Sequence, residues 1–252
     1  MEEQVDRLVK KVWAKFQNTP RSKRVMIAVS GIPGSGKTTL AAKVSSKLNE
    51  IWRESSPGLA SDPGIAAFLP LDGYHFTRAQ LSAMPDPNTA HARRGAAFTF
   101  DAPAFLDLVK KLRKPLCPET ETVYAPSFDH AVKDPVAHDI PIAPSARIVI
   151  FEGNYLSLGS GAKEWKEAAE LMDELWFVDV AKDVARNRLI KRHVASGIAV
   201  NEEEAAKRAD ENDLINGEEI LQGRLDVDEI IFSKEDSEWE PEHGVADNKM
   251  PA

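Results

Sequence analysis

Residues 31–38 read G-I-P-G-S-G-K-T and fit the pattern G-x-x-x-x-G-K-[ST]. Glycines at these positions let the backbone turn several N–H groups toward one anion, and a helix starting there adds its positive end. Lys37 at the seventh position would reach the β and γ phosphates of a nucleotide, and the hydroxyl of Thr38 would face the accompanying Mg²⁺. Gly31, Pro33, Gly34, Ser35, Gly36, Lys37, Thr38 and Thr39 are therefore the candidate nucleotide-binding residues. Two further acidic sites, Asp72-Gly73 and Glu152-Gly153, each close an apolar run. A carboxylate at Asp72 could orient and deprotonate an attacking hydroxyl, or serve only as a turn residue. One at Glu152 could hold Mg²⁺ or a water bound to it.

The elements that must position these groups follow from hydrophobic period. Residues 24–30, 65–71, 146–151 and 175–180 are continuous apolar runs, and Ile230 with Ile231 marks a short fifth. Runs of this kind, separated by helical stretches, predict a parallel sheet covered on both faces. Val5, Leu8, Val9, Val12 and Phe16 recur at helical spacing and predict a helix packed on the sheet ahead of the first strand. Residues 39–52 form the helix after the loop, and Asp101 caps another that has Pro103 in its first turn. Residues 55–64 read as connection, and the proline-punctuated stretch 120–142 as an irregular hairpin over the site. Ligands of such sheets bind beyond the carboxyl ends of the strands, where the loop, Asp72 and Glu152 all fall.

After the fourth run, the helical stretch 182–196 carries Arg186, Arg188, Lys191, Arg192 and His193. Arg188 and Arg192 are at i and i+4 and share a face, from which either could stabilise charge on a transferring phosphoryl group. Gly197 ends this helix and Asn201 caps the next, so residues 186–205 read as a short helical lid. Asn212, Asp213 and Asn216 are candidates for contacts to a nucleotide base.

The 252 residues suit one sizeable core: residues 1–233 are expected to form one domain, with 234–252 as a polar acidic tail. A net charge of −8 gives no global field favouring nucleic acid or an anionic membrane. Cys117 is the single cysteine, which excludes an intrachain disulfide framework. His75, His91 and His138 have no zinc-ligand spacing with it. The first residues lack a secretion-signal layout, and no apolar run approaches the roughly 20 residues that span a bilayer. The expected location is cytoplasmic, and nothing in the chain decides between monomer and homodimer.

In order and spacing, the loop at 31–38, the Leu71-Asp72-Gly73-Tyr74-His75 segment, Phe151-Glu152-Gly153 and the arginine-rich helix after 178–180 resemble the phosphoribulokinase, uridine kinase and bacterial pantothenate kinase family. The resemblance covers residues 24–232. It implies an α/β, P-loop NTPase-type three-layer sandwich with a parallel five-stranded sheet and a short helical lid. It further implies transfer of the γ-phosphoryl of MgATP to a hydroxyl of a small molecule: a nucleoside such as uridine or cytidine, a pantothenate-like alcohol or a sugar. Asp72 would be the general base, Glu152 would assist the metal with Thr38, and Arg192 or Arg188 would be the lid arginine. Arg93 and Arg94 resemble a basic pair beside the acceptor, and the segment holding Tyr124, Phe128 and His130 is similar to the aromatic and histidine wall of uridine and pantothenate kinases. Tyr74, His75 and Glu152 complete that acceptor set. Asp-Gly at 72–73 is closer to pantothenate kinases and to sugar or nucleoside kinase-like relatives than to uridine kinases, which usually show Asp-Ser or Asp-Asp. A nucleotide-driven switch ATPase acting on protein partners is the competing reading.

The loop assignment predicts that Lys37→Ala weakens MgATP binding and turnover together, read as a rise in KM and a fall in kcat. Unchanged steady-state kinetics would remove the loop from the site.

Overall fold

The computed structural model describes residues 1–55 and 64–234. Most of the connection expected at 55–64, and the tail beyond Lys234, lie outside the described residues. Five parallel strands form one sheet in the order β2-β5-β1-β6-β7. They are β1 (Val25–Gly31), β2 (Ala66–Pro70), β5 (Ile148–Glu152), β6 (Glu174–Asp179) and β7 (Glu229–Phe232). These are the five expected runs, each within two residues of its expected bounds.

Successive residues of a strand face opposite sides, and β1 shows what each side meets. Val25, Ile27 and Val29 pack with Val5, Leu8, Val9 and Val12 of α1 (Glu2–Gln17) and with Leu40, Val44 and Leu48 of α2 (Lys37–Ser55). Met26 and Ala28 lie in the opposite cluster, with Phe105 and Val109 of α5 (Ala102–Arg113) and Trp165 of α6 (Lys163–Glu170). The result is the expected three-layer sandwich. Ion pairs fix α1 across the strands: Lys11 reaches Glu174 at 2.9 Å and Glu229 at 2.7 Å.

Local signals set several boundaries. The Asp101 carboxylate accepts from the Ala104 N–H at 3.0 Å and starts α5. Asn201 accepts from the Glu204 N–H at 2.9 Å and starts α8 (Glu202–Arg208). Gly197, at φ +66, occupies the left-handed position that ends α7 (Lys182–Ala195). Short helices α3 (Arg78–Ser82) and α4 (Pro87–Ala92), together with α6, were absent from the periodic reading. After α8 the chain makes a π turn, Ala209–Asp213, before α9 (Leu214–Gly223).

The expected hairpin is β3 (Val123–Asp129) against β4 (Asp134–Ile142), antiparallel and bulged between Ala125 and Ser127. It seats on the 3₁₀ turn Leu71–Tyr74 that follows β2. The contact is close enough that a Cβ on Gly73 would overlap the Pro126 carbonyl oxygen. Gly73→Ala is expected to push the hairpin off the turn and cost about 1–3 kcal/mol, measured by urea denaturation; an unchanged midpoint would contradict this seating.

Candidate active site

Three neighbouring strands deliver the site. β5 lies between β2 and β1, and Glu152 at its end is in register with Pro70 on one side and Val29 on the other. Asp72 follows β2 and the glycine loop follows β1, so both meet Glu152 at the carboxyl edge of the sheet.

The loop conformation depends on its glycines. Gly34 and Gly36 have φ of +81 and +88, and a Cβ on Gly31 would stand 2.6 Å from Ser35 Oγ. Ser35 Oγ is buried and has no hydrogen-bond partner in the protein. Lys37 and Thr39 are buried, Thr38 is exposed, and α2 begins at Lys37. Pro33 packs toward Gly217 of α9. A cradle of this shape at a helix N-terminus fits the phosphate chain of a nucleotide.

Glu152 is 6% exposed. Its carboxylate accepts from Thr38 Oγ1 at 3.1 Å and lies 3.9 Å from Lys37 Nζ. Burial raises its pKa to about 6, against the opposing pull of Lys37. Burial likewise pushes the Lys37 ammonium below its ordinary value, and Glu152 is the main group resisting that. A hydroxyl and a carboxylate in contact at this edge make an oxygen donor set of the kind Mg²⁺ takes.

The Asp72 side chain is half exposed, at 51%. His75 Nδ1–H donates to the Asp72 backbone carbonyl at 2.9 Å and stands 3.9 Å from its carboxylate. Burial holds the His75 pKa below the usual imidazole value, and the bond to the Asp72 carbonyl, which can only accept, places the ring proton on Nδ1. The ring lies between Phe100 at 3.9 Å and Phe128 at 5.1 Å, and Phe128 in turn meets His130 at 5.2 Å. Tyr124, Tyr74 and His75 line a crevice of about 240 Å³ at the Asp72 turn, which Asp101 and His138 also line.

The basic residues separate by destination. Arg93 is spent on Asn212 at 3.0 Å and Asn216 at 2.7 Å. Arg94 bonds the hairpin at Asp134 and at the Lys133 carbonyl, and its guanidinium lies 5.5 Å over the Phe128 ring. Of the two lid arginines, Arg188 donates to the Gly34 carbonyl at 3.3 Å and to Ser233 Oγ at 2.8 Å. Arg192 is exposed, and its charge acts on both Lys37 and Glu152. Asn212, Asp213 and Asn216, weighed for base contacts, bond inside the protein: Asp213 holds His193 at 2.8 Å, and Asn212 and Asn216 hold Arg93. Asp213 also acts electrostatically on Lys37. Helical spacing gave no signal for that role, because the π turn shifts the register.

Among known proteins, the family model of the Phosphoribulokinase / Uridine kinase family matches residues 26–198. The ATP-dependent kinase-like protein notR' of Aspergillus versicolor is 52% identical over 161 residues, covering 64% of this chain and 92% of that protein. A Schizosaccharomyces pombe protein provisionally named uridine kinase C227.14 is 42% identical over 193 residues, 77% of this chain and 76% of that protein. The crystal structure of YFH7 from Saccharomyces cerevisiae superposes with a TM-score of 0.77 at 25% identity, covering 92% of this chain and 99% of that one.

The raised pKa of Glu152 has a consequence for folding. Protonation of Glu152 favours the folded state, so its contribution to stability is fully present below the unfolded value of 4.5 and is lost as pH rises through about 6. Glu152→Gln, a neutral isostere, is therefore expected to stabilise the protein by about 2 kcal/mol at pH 7.5, with the gain vanishing below about pH 4.5. Thermal or urea melts of both proteins across this range measure it, and a constant difference would show that Glu152 is not the titrating group.

Proposed function

From a chain that belongs to the phosphoribulokinase and uridine kinase family, we propose an enzyme that transfers the γ-phosphoryl group of MgATP to a hydroxyl of a nucleoside, a pantothenate-like alcohol or a sugar. The ATP-dependent small-molecule kinase class comes with the family; the choice of acceptor and the roles of single residues are our reading. The observation that carries it is the convergence of Lys37, Thr38, Glu152 and Asp72 at the ends of three adjacent strands.

In this reading the loop amides and Lys37 take the charge of the phosphate chain. Thr38 and Glu152 would hold Mg²⁺, which when bound would supply Lewis-acid neutralisation of phosphate oxygens. Asp72, on an exposed turn, accepts the proton of the acceptor hydroxyl as it attacks. His75 holds that turn through the Asp72 carbonyl and, backed by the buried Phe100, forms with Phe128 an aromatic wall against which an acceptor ring can lie. Of the lid arginines, Arg192 is assigned to the transferring group, because the loop carbonyls and Ser233 occupy Arg188. Closure of the lid would exclude water and suppress hydrolysis. Among the described residues no helix is long and apolar enough to cross a membrane. We place the reaction in the cytoplasm.

The test is ATP consumption with Mg²⁺, alone and against a panel of nucleosides, pantothenate and sugars, with mass spectrometry for product. A phosphorylated acceptor is expected, and hydrolysis indifferent to the whole panel would favour a switch ATPase instead. Asp72→Asn should keep MgATP binding while transfer falls by about 10²-fold or more; undiminished transfer would take Asp72 out of the mechanism.

A further inference from the structure

His193 directly follows Arg192 on α7 and is 2% exposed. Its ring makes one side-chain hydrogen bond, Nε2 to Asp213 Oδ2 at 2.8 Å, and its Nδ1 is buried without a partner. A buried polar ring resting on a single charge-assisted bond gives that bond unusual weight over where the helix sits. Leu189 of α7 packs on Ala209 and Leu214, and the other polar tie from α7 to the π turn, Arg186 to Asp210 at 2.7 Å, is solvent-exposed and contributes little beside the His193 bond.

The neighbour of Asp213 points elsewhere. Asn212 accepts from Arg93 Nε at 3.0 Å and donates to the Arg94 carbonyl at 3.2 Å. Arg94 then grips the hairpin through Asp134 at 3.0 Å and overlies Phe128. Consecutive residues of one π turn thus bond the lid helix and the acceptor wall, along a contiguous path from Phe128 to Arg192. Irregular helical turns of this kind recur at functional sites.

We propose that His193 and Asp213 are positioning residues for Arg192, and that Asn212 and Arg93 tie their placement to the wall carrying Phe128. The wall and the lid arginine then share one support, so the lid presents Arg192 in register with the acceptor side. The proposal rests on the kinase reading for what Arg192 does, but its mechanical content is independent of the acceptor.

Hydrogen–deuterium exchange of the full chain with Mg²⁺ and a non-hydrolysable ATP analogue tests it. Arg93→Met, which removes a side chain bonded to Asn212 and Asn216, is expected to speed exchange across residues 186–196 by about 10-fold while β1 and β5 keep their protection. In a His193→Phe background the same substitution should add less than about 2-fold, because the path is already cut. Unchanged exchange in α7, or fully additive effects, would overturn the proposal. Should Arg93→Met loosen β1 as well, Asn212→Ser is judged by the same two criteria.

With an acceptor identified by the panel, His193→Phe should lower kcat about 10-fold, leave the KM for ATP within about 2-fold, and have no further effect once Arg192 is alanine. Parallel loss of kcat and ATP affinity, or an undiminished effect without Arg192, would mark a purely structural role and overturn the proposal. Failure of every acceptor would count against the kinase reading, while the exchange result still decides the path.

Discussion

Ionising Glu152 at the carboxyl edge of the sheet costs desolvation that Lys37 and Thr38 offset only in part, and the rest of the molecule is arranged around that cost. A lone carboxylate in this position would stay protonated; one beside an ammonium and a hydroxyl sits close to its titration point instead. The arrangement works because β5 is flanked by β1 and β2, so the loop lysine and the Asp72 turn are delivered to the same edge with no long connection between them. The helices on both faces keep that edge dry from below: α1 and α2 close one side, α5 and α6 the other.

Much of this architecture is legible in the chain. Parallel strands buried on both faces must be continuous apolar runs, so β1, β2, β5 and β6 stand out by pattern, the half-exposed edge strand β7 shows only its Ile230-Ile231 pair, and Asp101 and Asn201 announce their helices because a cap is a local interaction. What stays hidden is decided by tertiary contact. Helices α3 and α4 span too few residues for a period to show. Arg93 and Arg94 read as cations beside a substrate, yet their guanidinium groups end on Asn212, Asn216, Asp134 and the Lys133 carbonyl. Arg188 and Arg192 are equivalent by helical spacing and are told apart only by where the loop and Ser233 lie. For the same reason Asn212 and Asp213, reached through a π turn, cannot be assigned a direction from sequence.

The site divides into a stiff half and an appended half. Glu152 ends a central strand, Lys37 opens α2, and the loop before it holds Gly34 and Gly36 in positive-φ conformations that few other residues could adopt. The hairpin β3–β4 stands outside the sheet, held by the close approach of Pro126 to Gly73 and by Arg94. Its Ala125 and Ile142 are buried in the core cluster, while Phe128 and His130 lie outside that cluster and reach the Asp72 side through ring contacts.

That separation bears on how such a molecule can diverge. Substitutions at Phe128 and His130 change what lies against Asp72 without entering the buried cluster that holds Ala125 and Ile142 of the same hairpin, whereas a change at the loop or at Glu152 alters stability and chemistry at once. Lineages built on this plan are free to drift in the alcohol they accept while the machinery that handles the phosphate chain stays fixed, so acceptor preference is the trait that selection can reshape first.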